Sequence, residues 1–112
     1  MGLSSAGRLY ALVARKSDLE FEAQSIEQHR TYLSSQMMGM FNTQTKLEPG
    51  TEAYKFIEAR IAQLQQADKV LEMHLNRINN QRDMMSKMIE ECRKVLGENI
   101  QKSFGLLGNS NN

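Results

Sequence analysis

The chain has 112 residues, room for one ordinary domain. Fourteen Lys and Arg against thirteen Asp and Glu leave a net charge of +1. That balance excludes the basic excess of a dedicated nucleic-acid binder and the polybasic patch of an electrostatic membrane anchor. A single Cys excludes an internal disulfide, and no apolar run approaches the roughly 18 residues of a membrane span.

Ser4 or Ser5 can cap a first helix, with Gly7 weakening its first turn. From Leu9 onward apolar residues recur in alternating steps of three and four, the heptad spacing of a helix that buries one stripe. With Leu9 at position a, the d positions are Leu12, Leu19, Ile26, Leu33, Met40 and Leu47, all apolar. The a positions are mixed: Leu9, Lys16, Ala23, Arg30, Met37 and Gln44. The spacing predicts a helix over 5–47, weakened near Gly39 because a mid-helix glycine costs about 1 kcal/mol relative to alanine.

The segment Glu48-Pro49-Gly50-Thr51 breaks this helix. Pro49 biases Glu48 away from helical angles, Gly50 tolerates a turn, and Thr51 suits the N-cap of a second helix whose dipole favours Glu52. So short a connection requires neighbouring antiparallel helices. The second helix is predicted over 52–102, with Gly97 as a candidate cap near its end. Its a positions are Tyr54, Ile61, Asp68, Leu75, Arg82, Ile89 and Leu96; its d positions are Ile57, Leu64, Leu71, Ile78, Met85, Cys92 and Asn99. The expected fold is all-α: one antiparallel coiled-coil hairpin over 1–103, open to pairing into a four-helix bundle. A flexible tail is expected over 104–112.

The two stripes, each read alone, fall into one register. Folding the chain at Gly50 sets every a position of one helix against a d position of the other. Leu12, Leu19, Ile26, Leu33, Ile61, Leu64, Leu71, Leu75 and Ile78 are the expected hairpin core. Arg30 and Asp68 fall in adjacent layers, where one opposite-charge pair can fix register at some expense of stability. Lys16 and Arg82 also fall in adjacent layers, with like charge. Their stems can snorkel to the rim, and Glu20 lies four residues after Lys16. Cys92 is expected opposite Leu9 as a small core hydrophobe.

Chemistry-bearing patterns are sparse. His29 and His74 both take position g and come near one another in this register, yet no Cys or carboxylate set completes a four-ligand zinc site. They read as solvated rim residues. No glycine-rich phosphate loop, CxxC, HExxH or nucleophile elbow occurs. The expectation is no enzyme, no metal and no cofactor.

What lies off the seam is more informative. Phe56, Val70 and Met84 share position c, and Met38, Met73 and Met88 also leave the a/d stripe. Tyr10, Phe21 and Tyr32 lie on the outer side of the first helix. A second, incomplete apolar stripe of this kind predicts self-association or a helical partner. Phe56, Val70, Met84 and Met88 are the expected partner face, with Phe104, Leu106 and Leu107 as a tail contact. The basic amphipathic start, residues 2–16, reads as helix-start packing rather than a membrane-surface helix. Neither nucleic acid nor stable membrane insertion is expected.

The string SSAGRLYALVARKSDLEFEAQ, residues 4–24, resembles the opening of short uncharacterised bacterial proteins with an S-x-x-RL-x-x-L-x-ARKSDLEF-x-x-Q segment. The resemblance covers roughly the first 30 residues and implies a bacterial, mostly helical protein; it carries no activity and transfers no site residue. In size the hairpin is also similar to WXG-type secreted proteins, but EPGT stands where that family has Trp-x-Gly. Type III secretion needle subunits and flagellar-export coiled coils share the architecture and the low Cys and Trp content. The expected function is a non-enzymatic coiled-coil interaction or structural protein, with a secretion-apparatus component as the alternative. The expected location is cytoplasmic, since no apolar signal region follows the start; under the alternative, export would proceed without a cleaved signal.

Overall fold

The computed structural model describes residues 4–110, excepting the side chains at 103, 104 and 106–110. The chain is all-α, an antiparallel hairpin of α1, Ser5–Gln44, and α2, Glu52–Ser110. Local chemistry sets the starts of both. At α1 the Ser4 hydroxyl accepts the Gly7 N–H at 3.2 Å, and its carbonyl accepts the Arg8 N–H at 2.8 Å. Ser4, not Ser5, is therefore the cap.

α1 ends at Gln44 rather than at the predicted 47. The Thr45 N–H still reaches the Phe41 carbonyl at 3.1 Å, but those of Lys46 and Leu47 turn to Thr43 and Gln44, three residues back. This tightening disposes of the last carbonyls before Pro49 forces Glu48 out of helical angles. Residues 48–51 then form a type II turn, closed by Thr51 N–H to the Glu48 carbonyl at 3.3 Å. Pro49 takes the second position, and Gly50 the third with φ +85°, where a side chain would be strained. Thr51 caps α2: its hydroxyl accepts the Tyr54 N–H at 3.2 Å and donates to the Glu48 carbonyl at 2.8 Å.

α2 continues to Ser110, so neither a helix end at 102 nor a Gly97 cap describes its backbone. One glycine penalty of about 1 kcal/mol does not stop a helix when no proline follows and good helix formers flank it. α1 likewise passes through Gly39 unbroken.

The chain divides into two compact units, where the heptads alone suggest one. The turn unit is Phe21–Asn79; the terminal unit joins Met1–Glu20 to Asn80–Asn112. In the turn unit, Ala23, Ile26, Leu33, Ile61, Leu64, Leu75 and Ile78 are buried. In the terminal unit, Leu19 and Ile89 are the buried hydrophobic residues among those described. Every other described a or d residue of α1 is half-buried, and so are those of α2 except the exposed Asn99. Of the expected core, Leu12 and Leu71 are only half-buried. A two-helix pair covers one stripe of each helix and leaves the flanks of that stripe open, so apolar burial is incomplete along it.

Candidate functional site

The strongest polar feature lies in the seam of the turn unit. Arg30 Nε donates to Asp68 Oδ1 at 2.9 Å and Nη2 donates to Oδ2 at 3.2 Å, a fork-on-fork pair. Both side chains are mostly covered, at 30% and 25% exposure. Hydrogen bonding from Arg30 holds the Asp68 carboxyl below its ordinary range, against the opposing effect of burial. The same bond pushes the Arg30 guanidinium up. Glu72 adds a looser contact, Oε2 lying 3.7 Å from Arg30 Nη2. Its position four residues after Asp68, on the same helix face, was the available signal for this third member.

The terminal unit has no such balance. Lys16 and Arg82 occupy its seam, both half-buried. Lys16 Nζ lies 3.9 Å from Glu20 Oε1 on its own helix. Among the described residues no carboxylate stands within salt-bridge distance of Arg82. Unit by unit, the charged a positions have opposite fates.

Cys92 is half-buried, and its thiol donates to the Ser5 carbonyl at 3.3 Å. In a regular helix that carbonyl also accepts the Leu9 N–H, so the contact lies on the turn of α1 that carries Leu9. The thiol lines a shallow groove with Ser5, Arg8 and Met88. His74 Nε2 lies 3.6 Å from Glu22 Oε1 in the turn unit, and His29 is exposed. Among the described residues no group of three or more His, Cys, Asp or Glu could hold a metal ion. Nor is any helix long and apolar enough to cross a membrane.

The expected partner face divides. In the turn unit Phe56 is 70% exposed and Val70 is 55% exposed. In the terminal unit Met84 is 58% exposed, but Met88 is half-buried against the groove beside Cys92. From position g its flexible side chain folds back onto the seam edge instead of standing in solvent. Phe104, Leu106 and Leu107 lie outside the described side chains. Val13, Phe41, Val95 and Ile100 are further exposed large apolar residues that the a/d reading passed over. They sit at e and g, the flanks of the stripe, and that position was the signal for them.

Comparison with known proteins finds no matching family model, no matching curated protein and no matching solved structure.

Proposed function

We propose that this chain is a non-enzymatic interaction protein whose hairpin binds helices, either of a second copy or of another protein. One observation carries the reading: large apolar side chains stand in solvent off the seam, at helical spacing. Val70 and Met73, three residues apart on α2, are both more than half exposed in the turn unit, where Phe56 also stands exposed, and Met84 is exposed in the terminal unit. A monomer gains nothing from such side chains, whereas a partner helix would bury them, and each fully covered side chain contributes about 1.5–3 kcal/mol. Residues left over from the seam are thus the binding residues, and the seam is their scaffold.

Light scattering after size exclusion tests the reading together with one double variant. Val70→Asp with Met84→Asp should keep the helical circular-dichroism signal and reduce the assembly, with itself or with a co-purified partner, to the monomer. An assembly of unchanged mass in that variant, or a wild-type chain that stays monomeric and captures nothing, sinks it.

A further inference from the structure

We infer that Met88 and Cys92, with Met84 and Met85 one turn before Met88, form a binding site for a soft monovalent metal ion of the Cu(I) class in the terminal unit. The inference is independent of the interaction reading above.

The sequence supplies the donors. Four sulfur side chains, Met84, Met85, Met88 and Cys92, fall within nine residues of α2. Met88 stands at their centre: it follows Met84 by four residues and Met85 by three, and precedes Cys92 by four. Side chains three or four residues apart are neighbours on a helix, so each of the other three is within one turn of Met88. The other methionine group, Met37, Met38 and Met40 on α1, has no cysteine beside it.

The fold keeps these donors accessible. Met88 and Cys92 line the same groove. Met84 is 58% exposed, and Met85, Met88 and Cys92 are half-buried, so none of the four is sealed from an incoming ion. The buried hydrophobic residues of the unit are Leu19 and Ile89 among those described, so the sulfurs can close on an ion without emptying that core. Methionine suits the movement, because its unbranched side chain adapts by rotation.

The donor set selects the ion. Thioether and thiolate are soft ligands, which favour Cu(I) over cations that seek oxygen. The groove wall offers one carboxylate, Glu91, far short of the oxygen cage that calcium requires. Zinc takes four donors, and among the described residues no group of three or more His, Cys, Asp or Glu is available to it. The Cys92 thiol donates to the Ser5 carbonyl at 3.3 Å. When an ion binds, the S–H bond breaks, its proton leaves to water and a sulfur–metal bond forms, with no change in oxidation state.

The test titrates the full chain against a chromogenic Cu(I) chelator loaded with Cu(I), under reductant and without oxygen. The chain should take one ion per molecule and gain a sulfur-to-copper charge-transfer band in the ultraviolet. Cys92→Ser should weaken binding about a hundredfold, and Met88→Leu, which keeps volume and helix propensity, about tenfold. Should Cys92→Ser lose helicity by circular dichroism, Cys92→Ala replaces it. Met38→Leu with Met40→Leu, in the turn unit, should leave the affinity unchanged. Wild-type affinity in Met88→Leu would reduce the site to a bare thiol and overturn the inference. So would wild-type affinity without Cys92, equal weakening by the turn-unit pair, or one ion held between two chains. A chain that binds copper but stays monomeric and captures nothing keeps this inference and refutes the interaction reading; an assembly that takes no copper does the reverse.

Discussion

Arg30 and Asp68 meet across the seam of the turn unit through two parallel N–H···O bonds, the shorter at 2.9 Å, with Glu72 as a looser third member. Such a pair is a small source of stability, because desolvation offsets part of its Coulomb gain. At a quarter to a third exposure its net contribution is of order 1 kcal/mol.

Breaking the pair from one side should therefore hurt more than removing it. Asp68→Asn, which leaves Arg30 partly covered beside a neutral amide, should lower unfolding free energy by about 1–2 kcal/mol. Arg30→Leu with Asp68→Leu should fall within about 1 kcal/mol of wild type or above it. Urea denaturation of the three proteins measures the difference.

The pair also sets a pH dependence. Arg30 lowers the folded-state pKa of Asp68 below its unfolded value. The contribution to stability is therefore fully present above the unfolded carboxyl pKa, about 3.9, and is lost as pH falls through the folded value. Melting curves should show a gap between wild type and Asp68→Asn near neutral pH that closes in strong acid. A gap that persists there would mean that Asp68 acts by shape, not charge.

Gly39 and Gly97 lie within helices, and an added Cβ at either would meet nothing within 4 Å. Alanine at each should stabilise by up to about 1 kcal/mol, additively because the two sites belong to different units. Gly50→Ala should do the opposite, destabilising by about 1 kcal/mol or more, because φ there is +85°. Thermal denaturation separates the signs.

Core and outer apolar residues should respond differently to truncation. Leu19, 1% exposed, should cost about 2–5 kcal/mol as Leu19→Ala. Leu12→Ala should cost less, since that side chain is half-buried. Phe56→Ser, at a site 70% exposed, should leave monomer stability within about 0.5 kcal/mol while weakening association. Chemical denaturation at low protein concentration isolates the monomer term.

The helical hairpin was legible in the chain because its determinants are local. The heptad steps from Leu9 and Tyr54 mark the covered stripe, Pro49-Gly50 needs no partner to make a type II turn, and Thr51 caps α2 with its own hydroxyl. Local signals misled at the ends. Leu47 kept the heptad phase but not the helix, and Gly97 resembled a cap but had no turn to close.

Tertiary structure decided the rest, because burial and charge pairing depend on what the facing helix presents. Lys16, Arg30 and Arg82 occupy equivalent heptad positions, and the heptad register already set Arg30 near Asp68 and Lys16 near Glu20. The folded chain adds the geometry: Arg30 meets both oxygens of Asp68, Lys16 stands 3.9 Å from its neighbour Glu20, and among the described residues no carboxylate stands within salt-bridge distance of Arg82. It also makes Met88 a groove wall while Met84, four residues earlier, stays in solvent. Heptad phase says which side of a helix turns inward; how far each side chain is covered follows from what the facing helix packs against it.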